Sequence, residues 1–234
     1  MLNCENIIKL SDKYLVGAPT QRVPERIQTL EDIELETKIN IEVIQDVKNI
    51  LDKIKSIGIS KASRRREWHH FFSNNLVAHS VLILVENSNE VWIKIKKDKN
   101  EVYTPNKKLP LLSRHERKIK PQDRGYREEF QKTIIQRYIG SFKKECIDLS
   151  FYYKDLSFTA TLSLADSEDS SLYQIEFEYD GHKEDYDPPT YEAILNTFEQ
   201  MLSDICGSKI KRLTTHTKLS WLLNEKAVIF EKNV

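Results

Sequence analysis

Two segments far apart in the chain constrain its fold more than any other feature. Residues 34 to 38 read E-L-E-T-K, and residues 174 to 178 read Q-I-E-F-E. Side chains of a strand alternate between faces, so Glu34, Glu36 and Lys38 share one side while Ile33, Leu35 and Ile39 share the other. The same alternation groups Lys94 with Lys96, then Arg114 with Glu116, Lys118 and Lys120, then Thr159 with Thr161 and Ser163, then Glu176 with Glu178. Opposite these stand Ile93 and Ile95, Phe158 and Leu162, and Ile175 and Phe177. A half-exposed antiparallel sheet explains any one of these strands. It does not say what the greasy faces of all of them pack against.

The helical segments supply that partner. Ile44, Val47, Leu51 and Ile54 form one stripe that Gly58 closes, and after D-P-P-T the residues Tyr191, Leu195, Phe198, Leu202 and Ile205 form another that Gly207 ends. A weaker pattern predicts a helix over 127–139, and a short helical tail is expected over 214–224. Strands are predicted at 32–40, 66–72, 76–86, 90–96, 114–120, 146–154, 156–165 and 171–180, with an N-S-N turn joining the third to the fourth. The expectation is an α+β fold, an eight-stranded antiparallel closed β-barrel with helices packed on the outside. The charged faces then line the interior.

The first 30 residues, with two prolines in A-P-T-Q-R-V-P-E-R, are expected to be a leader or arm. Residues 31–226 would form the single barrel domain and 227–234 a tail.

An eight-stranded barrel is wide enough to be filled by side chains or to hold one small ligand. Carboxylates crowded inside repel one another and resist ionising. Each uncompensated buried ion costs several kcal/mol, so such a lining makes sense where a charged ligand enters. Hard divalent cations suit the carboxylates, and phosphate oxygens suit lysine and arginine. A triphosphate with its metal supplies both.

Composition narrows the class. With 36 basic and 36 acidic residues the net charge is zero, which argues against a broad nucleic-acid surface. The three cysteines show no C-x-x-C spacing, so neither a disulfide framework nor a zinc site is indicated, and a cytoplasmic setting is expected. The longest apolar run, L-V-A-H-S-V-L-I-L-V at 76–85, is well short of the ~20 residues that cross a bilayer, so no membrane span is expected.

With these motifs in place, the chain resembles the CYTH family, the triphosphate tunnel metalloenzymes. E-L-E-T-K matches the family's E-x-E-x-K on the first strand, and V-W-I-K-I-K stands where a basic pair is usual. Y-Q-I-E-F-E-Y matches the late E-x-E strand, and T-T-H-T-K-L-S-W-L-L is similar to the closing basic and hydroxyl segment, which adds Lys218. The resemblance covers roughly residues 32–224 and leans towards the RNA 5′-triphosphatases of fungal and viral mRNA capping.

It implies hydrolysis of a terminal phosphoanhydride with Mg²⁺ or Mn²⁺. Glu34, Glu36, Glu176 and Glu178 would be the metal-holding and catalytic carboxylates. Lys38, Lys94, Lys96, Arg114, Lys118, Lys120 and Lys218 would grip phosphate oxygens. The partner would be a triphosphate-bearing small molecule or an RNA 5′ end. The chain departs from the family in having Lys94 and Lys96 for arginines, and Thr161 and Ser163 where a basic residue is frequent. A class IV-like adenylyl cyclase and a non-catalytic triphosphate or RNA-end binding module are the alternatives.

Outside the barrel motifs, His69 and His70 point to opposite faces of a strand and are expected in packing or surface roles. Arg64, Arg65 and Arg66 form a basic lip or a solvated cluster. Trp92 stacks on a ligand or caps the barrel, and Asp166 lies just beyond a strand with parity opposite to Thr161.

Overall fold

The computed structural model describes residues 3–15, 26–27, 33–74, 78–86, 88, 90–168 and 170–224. Most of the proline-containing arm, the C-terminal tail and two residues of the N-S-N turn lie outside these.

The chain runs α1 (Cys4–Leu15), β1 (Arg26–Ile27), β2 (Ile33–Asn40), α2 (Ile44–Ile57), β3 (Ile59–Phe72), β4 (His79–Val85), β5 (Val91–Tyr103) and β6 (Pro110–Ile119). It continues with α3 (Tyr126–Ile134), β7 (Tyr138–Tyr153), β8 (Leu156–Asp166), β9 (Ser171–Lys183), α4 (Tyr191–Cys206), a 3₁₀ turn (Gly207–Arg212) and β10 (Leu213–Thr214). Residues 218–224 are again helical.

Every strand pairing is antiparallel. The order β9-β8-β7-β3-β4-β5-β6-β2 closes on itself because β2 pairs with both β6 and β9. The result is an eight-stranded barrel, with β1 and β10 added outside the ring. Closure leaves these strands no free edge to template aggregation.

The greasy faces look outward. Leu35, Ile39, Phe158, Leu162, Ile175 and Phe177 are fully buried together with Val47, Ile50 and Leu51 of α2 and Phe198, Met201 and Leu202 of α4. Burying a side chain of this size stabilises by about 1.5–3 kcal/mol, so the main core lies between barrel and helices and the bore is free for other chemistry. α1, within the stretch expected to be a leader, adds Ile7 and Tyr14 to that core, and the Tyr14 hydroxyl donates to Asp52 at 2.5 Å. α3 covers Leu82, Ile93 and Ile119 with Tyr126 and Phe130.

Thr190 caps α4, its hydroxyl accepting from the Ala193 amide at 3.2 Å. Tyr191, expected on the buried stripe of α4, is 43% exposed as the first residue of the helix.

Several boundaries differ from the sequence expectation, among them β5, which runs to Tyr103 rather than 96, and β6, which starts at Pro110 rather than 114. The helix predicted at 127–139 ends at Ile134, and β7 begins at Tyr138 rather than 146. The run I-I-Q-R-Y-I fits either period, and pairing of Tyr138 to Phe72 across the ladder decides it in favour of strand. β3 starts at Ile59, earlier than 66, because it pairs with β7 along most of its length.

Candidate functional site

The bore is built by parity. In the closed barrel Glu34 stands opposite Arg114, Glu36 opposite Glu178, Lys38 opposite Glu176, Lys94 opposite Lys118 and Lys96 opposite Glu116. Directly opposed residues project to the same side. The charged faces predicted from sequence therefore share one interior.

They enclose a cavity of about 110 Å³ whose lining includes Glu34, Lys38, Lys94, Lys96, Arg114, Glu176, Glu178 and Lys218. Glu36 is 2% exposed and tied to the same network. Lys118 shares the interior face with Lys94 but stands at Trp92: its ammonium sits 3.7 Å from the centroid of that ring and the ammonium of Lys120 at 5.4 Å, and neither lysine is among the residues lining the 110 Å³ cavity.

One end of the bore is plugged. Leu219, Trp221 and Leu222 of the helical segment 218–224 pack on Phe71, Val81, Ile83 and Phe142 from the barrel wall. The Trp221 indole N–H donates to Ser170 at 3.1 Å, which fixes the segment across that end. From the same segment Lys218 reaches Glu176.

Cations and carboxylates inside are interleaved. Arg114 donates from Nε to Glu34 and from Nη2 to Glu36 at 2.7 Å, bridging the two glutamates of the first motif. Lys38 also binds Glu36. Lys96 is 2.6 Å from Glu116 and 3.3 Å from Glu34, and Lys94 binds Glu116. Glu176 is held by Lys218, by Lys144 at 3.5 Å and by Lys38 at 4.0 Å.

These partners set the ionisation. Burial opposes the charge of Glu34 and of Glu176. Arg114, Lys96 and Lys94 outweigh it at Glu34, and Lys144, Lys218 and Lys38 outweigh it at Glu176, so both carboxyls sit well below their usual range. Burial pushes the Lys218 ammonium down to about 7 against the pull of Glu176, with Lys144 and Lys38 adding to the fall.

Glu178 is the exception. No ion pair to it is found among the described residues, and burial together with Glu34, Asp180 and Glu116 raises its carboxyl well above the usual value. Among the described residues no three His, Cys, Asp or Glu side chains converge as a preformed metal cage. The donor chemistry nevertheless fits a hard divalent cation. Such an ion next to Glu178 would remove the repulsion that Glu34, Asp180 and Glu116 exert on it.

The structure adds residues from β3 and β7 that sequence reasoning did not place in the site. Arg65, His69 and Lys144 line the cavity. Arg65 donates to Asp148 at 2.8 Å and to Glu67 at 2.5 Å, Thr161 donates to the other Asp148 oxygen at 2.8 Å, and Glu67 is 2.8 Å from His69 Nε2. Lys144 and Arg65 thus supply the basic charge that β8 lacks at Thr161 and Ser163.

His69, stacked on Phe142 at 5.4 Å, is pushed down to about 4 by burial and so is neutral at pH 7. His79 also lines the cavity and is lowered to about 3 by burial, with Lys96 and Arg114 contributing. Alternation carried the signal for Arg65, Glu67 and His69. It was masked because Arg64, Arg66 and His70 on the outer face are polar too. Arg64 and Arg66 bind Glu145 outside, the latter at 3.3 Å. Asp166 accepts from the Tyr173 hydroxyl at 3.2 Å and does not line the cavity.

No protein-family model matches the sequence, and no curated protein matches it significantly. Solved structures do match. A Hippeastrum protein described as a candidate adenylyl cyclase with a dominant triphosphatase activity superposes with a TM-score of 0.52 at 10% identity, over 82% of this chain and 96% of that one. A mimivirus capping enzyme triphosphatase superposes with a TM-score of 0.50 at 12% identity, over 88% of this chain and 96% of that one. The likeness is one of fold, and the fold is the triphosphate tunnel.

Proposed function

We infer that the chain is a divalent-metal-dependent triphosphatase that removes the terminal phosphate of a triphosphate, with an RNA 5′ end, a nucleoside triphosphate or inorganic tripolyphosphate as substrate. The observation that carries this is the composition of the bore. Buried cations and buried carboxylates alternate in one space, and Glu178, which no cation of the described residues pairs within 4.0 Å, stands beside other acids.

A bore of this kind exchanges partners when it loads. Arg114, Lys38 and Lys218 neutralise Glu34, Glu36 and Glu176 in the structure. A triphosphate offers its oxygens to Lys38, Lys94, Lys96, Arg114 and Lys218, with Arg65 and Lys144 added by the geometry. Glu34, Glu36, Glu176 and Glu178 would hold Mg²⁺ or Mn²⁺, which when bound polarises the phosphate oxygens and offsets the negative charge brought in.

The protein's own contribution is positioning and electrostatics, which phosphoryl transfer demands more than covalent chemistry. Two unit charges 4 Å apart interact by about 4 kcal/mol at an effective dielectric of ~20, several times more than in water. Rigid strands hold the charges in place before the substrate arrives, so no reorganisation is needed when charge develops on the leaving oxygen. The apolar segment 218–224 covers part of one end of the bore, and a carboxylate on β9 orients the attacking water.

The triphosphatase activity named for both the Hippeastrum and the mimivirus neighbour supports hydrolysis over cyclisation. The two separate by product, because hydrolysis releases orthophosphate and cyclisation of ATP releases diphosphate. The test is orthophosphate release from tripolyphosphate, ATP and a 5′-triphosphorylated RNA with Mg²⁺ or Mn²⁺, alongside Glu36→Ala and Glu178→Ala. Wild-type release that both variants lose is the expected result. Diphosphate as the product, or variants equal to wild type, would overturn the assignment.

A further inference from the structure

The helices leave part of the barrel's outer wall bare. α1, α2 and α4 pack over Leu35, Phe158 and Phe177, and α3 packs over Leu82, Ile93 and Ile119. Neither covering takes in Trp68 of β3 or Leu84 of β4, which are 45% and 38% exposed and belong to no packed apolar cluster of the described residues. Trp68 precedes His69, which lines the bore, so alternation turns the tryptophan outward.

Register gathers these side chains into one patch. Trp68 stands directly opposite Leu84 on one side and Lys143 of β7 on the other, and opposed residues project to the same face. Two residues further along β3, His70 lies with its ring centroid 6.4 Å from that of Tyr138, which is itself 50% exposed. Two residues the other way, Arg66 stands between Glu145 and Glu86. An aromatic centre with a charged rim is the anatomy of a protein interface, and tryptophan is enriched among the residues that dominate binding energy.

The rim says which partner fits. Arg66 is 3.5 Å from Glu86 and 3.3 Å from Glu145, and Lys143 is 3.8 Å from Glu86. These distances exceed the roughly 2.7–2.9 Å of a strong charge-assisted bond, so the pairs have shorter bonds to gain by exchange. Both signs stand side by side, and a nucleic acid or an anionic membrane, which wants a basic surface, meets repulsion here. A second copy of the chain does not, because every charge on the rim has its opposite on the same rim, and a two-fold axis sets the two kinds against each other.

We propose that this face is the interface of a two-fold symmetric homodimer, with Trp68 and Leu84 at its centre and Arg66 and Lys143 of each protomer facing the acids of the other. It uses the outer face of the wall and no residue of the bore, so it stands or falls apart from the triphosphatase assignment.

The test is sedimentation equilibrium of the full chain across a concentration series, with thermal melts to check that each variant is folded. Wild type should be dimeric, and Trp68→Ala should weaken the dimer by about 30-fold or more, the scale for losing a central aromatic anchor. Two charge variants avoid the tryptophan altogether. Arg66→Glu/Lys143→Glu makes the rim acidic and Glu86→Lys makes it basic, so each should self-associate more weakly than wild type, and an equimolar mixture of the two should recover the dimer.

Wild type that stays monomeric through the micromolar range overturns the proposal and leaves the face to a different protein. A dimer that Trp68→Ala and both charge variants leave intact overturns it as well, because the contact then lies on another face.

Discussion

Glu36 and Glu178 face each other across the β2–β9 ladder and come from the two matching motifs, yet their surroundings differ. On the β2 side Arg114 bridges Glu34 and Glu36, and Lys38 adds a second cation. On the β9 side Glu176 is matched by lysines, while at Glu178 burial and the acids Glu34, Asp180 and Glu116 outweigh the pull of Lys94. One side of the bore is electrostatically satisfied without ligand and the other is not. The satisfied side stabilises the fold, and the unsatisfied one is where a cation gains most.

The comparison breaks most severely at Arg114. Arg114→Ala leaves Glu34 and Glu36 buried with little compensation, and loss of one partner of a buried pair costs about 3–5 kcal/mol. Urea unfolding should show a loss of that size. Arg114→Lys, which keeps the charge without the fork, should lose less. Glu34→Gln/Glu36→Gln combined with Arg114→Ala should recover part of the deficit.

Isosteric neutralisation sharpens the contrast. Glu36→Gln and Glu178→Gln should each lower metal-dependent phosphate release by about 10²-fold, the scale for removing one preorganised electrostatic interaction. Their effects on the metal-free fold should have opposite signs. Glu36→Gln weakens charge-assisted bonds to Lys38 and Arg114 and should destabilise by about 1.5–3 kcal/mol. Glu178→Gln removes a repelled charge and should stabilise.

The pH dependence follows from the same asymmetry. Glu178 is raised above its ordinary value of 4.5, so its contribution to the metal-free fold is full below that pH and is lost as pH rises through the raised value. Glu34 and Glu176 are lowered, so their contributions are full above 4.5 and are lost as pH falls through their depressed values. The stability advantage of Glu178→Gln over wild type, from urea titrations without metal, should therefore grow with pH. Added Mn²⁺ should reverse the order by stabilising wild type alone.

The smallest effect lies outside the bore. Thr190→Ala removes the α4 cap and should cost about 1 kcal/mol in thermal stability with phosphate release unchanged.

Much of this was legible in the residues. Strict alternation in E-L-E-T-K, V-W-I-K-I-K and Q-I-E-F-E fixed which side chains share a face, and the stripes of α2 and α4 supplied a reason for the greasy faces to look outward. Illegible were Arg65, Glu67, His69, Lys144 and Asp148. β3 is polar on both faces near the arginine triplet, so period two carries no contrast there. The start of β7 reads equally as the end of α3, which hid Lys144. The dependence of Arg65 on Asp148, and the acidic neighbours gathered around Glu178, are products of cross-strand register that no local pattern encodes.

The most direct test of an inward-facing, metal-receiving bore is anomalous diffraction from crystals grown with Mn²⁺ and tripolyphosphate. A manganese peak is expected inside the barrel, coordinated by Glu178 and at least one of Glu34, Glu36 and Glu176, with phosphate oxygens on Arg114 and the bore lysines. Manganese bound only on the outer surface, or a bore whose arginine and glutamates keep their ligand-free pairing while the protein turns over, would contradict it.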